Sequence, residues 1–250
     1  MNEYVKNINR IEFVVTMACT GKCKHCSEGD HTNCSGHIDA DVAVKAVRDL
    51  CANYKIQSLM TFGGEPLLYP DVVCAIHNTA AEMGIPQRDL ITNGYFSKNP
   101  NKIKSVVQML KESGITRILL SVDAFHQETI PLEPVKEFAS CVKEAGMNLY
   151  LSPAWLVSQE DSNPYNEKTK AVIKEFDEFQ IPMGSGNVIF PSGNALQYLK
   201  EYFADPIDYS NPYEEDPRDI RTADISENGD VLGGNLYQTG ILDILKAYQP

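Results

Sequence analysis

Three cysteines, Cys19, Cys23 and Cys26, lie in the eight-residue stretch Cys19-Thr20-Gly21-Lys22-Cys23-Lys24-His25-Cys26. Thiolates are soft ligands, and three on one short loop can converge on a single metal centre. Chance is a poor source of the pattern: 7 cysteines in 250 residues would give such a triplet about 0.005 times. Two kinds of centre fit. A four-iron cluster in ordinary electron transfer takes four thiolates, so three leave one position open for a ligand from outside the chain. Zinc in a structural site takes a closed set of four, which here would need Cys34 or His31 as the fourth. Only Cys23 with Cys26 makes the C-x2-C pair common in such zinc sites.

The chain as a whole limits what this loop can serve. A length of 250 residues with 43% hydrophobic content fits one α/β domain with a large core. The net charge of -12 and a pI near 4.9 argue against a nucleic-acid substrate gripped through its phosphates, which requires a basic face. No apolar run is long enough to span a bilayer, and Met1 to Lys6 has no hydrophobic signal region. The expectation is a cytoplasmic protein with no membrane partner. Its thiols are then reduced and better read as metal ligands than as disulfides.

The loop must be held by the elements around it, and these alternate. Short β-branched or aliphatic runs at Ile11 to Thr16, Ser58 to Phe62, Asp89 to Thr92, Arg117 to Val122, Met147 to Leu151 and Asn187 to Phe190 read as six strands. Between them, helical periodicity runs from Asp41 to Tyr54, from Pro70 to Gly84, from the Asn99-Pro100 cap to Gly114, through Val135, Phe138, Ala139 and Val142 to Gly146, and from the Asn163-Pro164 cap through Phe176. Strand-helix repeats of this kind build a parallel sheet whose ligand sites lie at the carboxyl ends of the strands. After Pro191 the pattern changes. A helix near Ala195 to Tyr202, an acidic and proline-rich loop, a hairpin of Thr222 to Ser226 with Asp230 to Leu232 about Asn228-Gly229, and a helix from Gly240 to Tyr248 are expected.

The triplet Cys19, Cys23 and Cys26 after a first strand, Gly63-Gly64-Glu65-Pro66 at the end of a second, and six strand-helix units together resemble the radical S-adenosylmethionine (SAM) enzymes over residues 10 to 190. The resemblance implies a partial (β/α)6 barrel core over residues 1–191 and a C-terminal extension over 192–250. It implies one [4Fe-4S] cluster on Cys19, Cys23 and Cys26, with SAM chelating the open iron. Reductive cleavage of SAM would give a 5'-deoxyadenosyl radical that abstracts hydrogen from a substrate C–H bond, and the protein would position that carbon and exclude water. A low-potential donor such as flavodoxin or ferredoxin would supply the electron.

The same resemblance places the SAM pocket. Gly63, Gly64, Glu65 and Pro66 would meet the methionine ammonium end, Thr92 and Asn93 would line the pocket from the third strand, and Ser121 and Asp123 from the fourth would reach the ribose or the carboxylate. Ser152 is a second polar contact on the fifth strand, Val188 supports adenine from the sixth, and His25 stands where the family places an aromatic residue against adenine. Two side chains are candidates for the chemistry itself. Cys34 is a thiol that could give a hydrogen atom to a product radical, and His126 is an acid or base at the ligand end. Cys51, Cys74 and Cys141 fall on apolar helix faces and read as packing thiols.

The segment from Ile225 to Leu236 and the following helix resemble the tail of SPASM or twitch extensions of peptide-modifying radical SAM enzymes. No cysteine follows Cys141, so an auxiliary cluster is not expected. The substrate is then expected to be a peptide or protein; a glycyl-radical-enzyme activase and a small-metabolite enzyme are the alternatives within the same chemistry. A non-catalytic zinc protein is the alternative outside it.

Overall fold

The computed structural model describes residues 2–31 and 33–250. Strands β1 (Arg10–Thr16), β2 (Ser58–Gly63), β3 (Gln87–Thr92), β4 (Arg117–Leu120) and β5 (Leu149–Leu151) lie side by side in chain order, all parallel. Helices α1 (Ala40–Asn53), α2 (Pro70–Glu82), α3 (Pro100–Glu112) and α4 (Leu132–Glu144) connect them. The α/β expectation and the first five strands stand. Because the strands are parallel, their carboxyl ends fall along one edge of the sheet, and the cysteine loop leaves β1 at that edge.

Local sequence chemistry accounts for these elements. In β1 alternate residues Ile11, Phe13 and Val15 are fully buried, the period-two pattern of a strand with one covered face. Helix α1 buries Ala43, Ala46, Val47 and Leu50 and starts at Asp39, whose carboxylate accepts the N–H groups of Asp41 and Val42 at 2.9 and 3.1 Å. Such a cap contributes about 1 kcal/mol. Asn99 and Asn163 cap α3 and α5 (Pro164–Lys174) in the same manner, each ahead of a proline, as the sequence predicts.

Two expectations about the later strands change. The sixth expected strand, Asn187 to Phe190, is reduced to β7 (Asn187–Val188), which pairs in parallel with β6 (Ala154–Trp155) in a separate two-stranded sheet. Pro153 has no N–H to give and separates β6 from β5. A single bridge from Leu151 to Met183 carries the pairing across the gap. The sheet stays open and does not close into a barrel.

The expected hairpin also divides. Asn228-Gly229 does turn, with Ser226 N–H donating to Asp230 O at 3.0 Å, but β8 (Thr222–Ile225) pairs in parallel with β1 and is the sixth strand of the main sheet. There Ala223 and Ile225 are fully buried, and the strand covers the otherwise open edge of β1. Past α6 (Gly193–Tyr198), the short ladder is instead β9 (Asp230–Val231) with β10 (Gly234–Asn235), joined at Leu232 and Gly233, both with positive φ. The chain ends in α7 (Ile241–Ala247), which packs near α1.

Candidate functional site

The cysteine loop is held against the end of β2 by backbone. Gly64 N–H donates to Thr16 O at 2.7 Å and Glu65 N–H to Ala18 O at 2.8 Å. A Cβ on Gly64 would lie 2.3 Å from Ala18 O, and one on Gly63, whose φ is +139°, would lie 2.4 Å from Thr16 O. The glycines are therefore required by the approach of the chain to itself. Within the loop Cys26 N–H donates to Cys23 O at 3.2 Å, and Lys22 N–H donates to Thr129 Oγ1 at 3.0 Å.

A cleft opens beside this loop. Of the expected residues, Cys19, Cys23, Cys26, His25, Gly63, Gly64, Thr92, Asn93, Ser121 and His126 line it, together with His31, Gly21 and Ile91. Asn93 reaches back to the loop, its Nδ2 donating to Thr20 Oγ1 at 3.2 Å and lying 3.7 Å from Cys19 Sγ. Glu65, Pro66, Asp123, Ser152, Val188 and Cys34 are not on the wall. Val188 is 50% exposed on β7, where it pairs with Trp155.

Two of the expected pocket residues, Glu65 and Asp123, hold neighbouring strand ends together through hydrogen bonds. Glu65 is fully buried, and its carboxylate accepts Leu67 N–H at 2.9 Å, Thr92 Oγ1–H at 2.7 Å and Asn93 N–H at 2.8 Å. Asp123, also fully buried, accepts the N–H groups of Phe125 and His126 at 2.9 Å, Ala154 N–H at 3.0 Å and the His126 ring at 2.7 Å. Burial alone would raise Asp123; the adjacent His126 and the backbone donors outweigh it and hold the carboxyl below the usual range. Both acids satisfy backbone donors where strands end.

The three thiols are suited to a metal. Burial raises Cys19 to about 11 and pushes Cys23 and Cys26 upward as well, so without a cation they stay protonated; a bound metal displaces those protons. Among the described residues no fourth cysteine lines the cleft. His25 packs against Phe125 at a centroid distance of 5.0 Å and against His126 at 4.8 Å. Burial lowers it to about 4, and its Nδ1 is buried without a partner. Cys23, His25 and His126 bring donor atoms within 4.8 Å of one another. The soft donor set and the orphaned ring nitrogen fit a cluster with a further polar ligand beside it.

Sequence reasoning gave His31 only a place among zinc ligands, and the structure gives it a more definite one. Its Nδ1 is 2.6 Å from Met17 O and its Nε2 is 3.1 Å from Cys26 Sγ. A carbonyl only accepts, so Nδ1 carries the proton and Nε2 faces the thiol. A histidine five residues beyond the last cysteine was the available signal.

Comparison with known proteins agrees with this arrangement. The family described as the radical SAM superfamily matches residues 13–153. A GTP 3',8-cyclase of Moorella thermoacetica is 27% identical over 129 residues, which are 50% of this chain and 38% of that enzyme. The chain thus matches well under half the length of such curated relatives. Among solved structures, Streptococcus suis SuiB bound to S-adenosylmethionine superposes with a TM-score of 0.64 at 15% identity, over 96% of this chain and 66% of that one. A tagged form of anSMEcpe with bound AdoMet gives 0.61 at 14% identity, over 96% and 80%. No helix of the described residues is long and apolar enough to cross a membrane. A match over more than half of the chain, on the same fold and with the cysteines in place, establishes that the protein belongs to the radical SAM superfamily of enzymes, whose members bind SAM and a [4Fe-4S] cluster.

Proposed function

We propose that this enzyme acts on a peptide or protein, abstracting hydrogen from a side-chain or Cα C–H bond. The observation that carries the reading is the likeness of nearly the whole chain to a fold seen with a peptide bound: SuiB bound to precursor peptide SuiA matches over 95% of this chain at a TM-score of 0.59. The sequence match to GTP 3',8-cyclases covers only half of this chain.

Cys19, Cys23 and Cys26 would hold the cluster, and Thr92, Asn93, Ser121 and the Gly63-Gly64 backbone would face SAM. The chemistry supplied there would be one-electron cleavage of the SAM sulfonium to a hydrogen-abstracting radical. The chain's own part is placement. His126 is fixed through Nδ1 by Asp123, which leaves Nε2 free to take or give a proton at the substrate. Phe125, stacked on Tyr165 at 4.7 Å, packs behind His25 and supports it from that side. A flavodoxin or ferredoxin would deliver the electron. The reading is tested by supplying the reconstituted, dithionite-reduced enzyme with SAM and either deuterated peptides from a cell extract or deuterated GTP. Deuterium in 5'-deoxyadenosine from the peptide fraction is expected; deuterium from GTP alone would overturn it.

A further inference from the structure

A segment outside the expected pocket grips the cysteine loop from the far side. Asn194 donates twice, from its backbone N–H to Cys26 O at 2.9 Å and from Nδ2 to Cys23 O at 3.0 Å. Ser192 Oγ–H donates to Ser27 O at 3.0 Å. Between them Gly193 runs so close that a Cβ there would lie 2.3 Å from Ser27 O and 2.6 Å from Cys26 O, with φ at +46°. Three carbonyls of the turn carrying Cys23 and Cys26 therefore end on one tripeptide far along the chain.

These bonds add to the turn's own. Cys23 O also accepts Cys26 N–H, and Cys26 O also accepts Gly29 N–H at 3.3 Å, so both carbonyls use both of their lone pairs. The tripeptide is itself anchored. Ala195 and Leu199, which follow it, are fully buried in an apolar cluster with Phe125, Ala154, Leu156 and Ile189. The grip is thus built from the packed layer that also supports His25, since Phe125 belongs to both.

We propose that Ser192 and Asn194 are positioning residues for the cysteine loop, fixing the turn between Cys23 and Cys26 so that both thiols face the cleft together. The inference rests on the reading that these thiols hold an iron-sulfur cluster. A loop that samples other shapes presents its three sulfurs together only part of the time, and metal affinity falls by that fraction. Donors that hold the loop's carbonyls raise the competent fraction without touching the metal.

The test uses the anaerobically reconstituted protein and its variants Ser192→Ala, Asn194→Ala, the double variant, and Ser192→Thr, which keeps the hydroxyl. Iron release to a chelator and the electron paramagnetic resonance spectrum of the reduced cluster are the readouts. The double variant is expected to lose iron about tenfold faster than the parent with a changed spectrum, the single alanine variants to lose it at intermediate rates, and Ser192→Thr to behave as the parent. Should the double variant fail to fold, Ser192→Ala against Ser192→Thr makes the same comparison. Parental iron release and an unchanged spectrum in the alanine variants would overturn the proposal. A parent that takes up no iron would overturn the cluster reading beneath it, and that result is visible before any variant is compared.

Discussion

Glu65 and Thr92 share a 2.7 Å hydrogen bond between side chains that ties the end of β2 to the end of β3. The same carboxylate takes the N–H groups of Leu67 and Asn93, so one acid sets the spacing of two strand ends that both border the cleft. Glu65→Ala leaves these buried donors without an acceptor. The expected loss is about 3 kcal/mol of unfolding free energy, measured by urea denaturation of the metal-free protein. A loss below about 1 kcal/mol would show that Glu65 is not the staple described.

Asp123 fixes His126 and the start of β6 at once. Asp123→Asn keeps the shape but removes the charge and turns one acceptor into a donor facing donors. Stability should fall by about 2 kcal/mol, while iron content stays at the parental level because the cysteine loop is held by other contacts. Iron analysis and chemical unfolding on the same preparation check both parts. Loss of iron with unchanged stability would be the opposite result.

His77 gives a pH dependence whose sign can be worked out. It is fully buried on α2, with Nε2 2.9 Å from Thr61 Oγ1 and Nδ1 without a partner. Burial, helped by the positive charge of Arg88, lowers it to about 3 from the usual 6.5. The unfolded chain then binds a proton between these values and the folded chain does not. Stability from this group is fully present above pH 6.5 and is lost as the pH falls toward 3. The parent should lose about 1.4 kcal/mol per pH unit more than His77→Leu between about pH 6 and pH 4, read from denaturant midpoints. Parallel curves would contradict the buried neutral histidine.

The features legible in the sequence were local. Asn99-Pro100 and Asn163-Pro164 announce helix starts because a side-chain oxygen and a fixed φ act within a few residues. The cysteine spacing points to a metal loop for the same reason. What escaped depends on partners distant in sequence. Asn228-Gly229 announces a turn, yet it could not reveal that Thr222–Ile225 pairs with β1 and not with the strand after the turn. Glu65 and Asp123 stand at strand ends, and only the structure shows which backbone and side-chain donors they bind. Ser192 and Asn194 carried no signal, since their acceptors are main-chain carbonyls that no sequence displays.

The central claim, that Cys19, Cys23 and Cys26 hold one cluster that cleaves SAM, is tested most directly by anaerobic reconstitution followed by dithionite and SAM. Brown protein with about four irons per chain and release of 5'-deoxyadenosine is the predicted result, with both lost in Cys23→Ala. Colourless protein holding zinc, with His31 completing the ligand set beside Cys26, and no 5'-deoxyadenosine would contradict it.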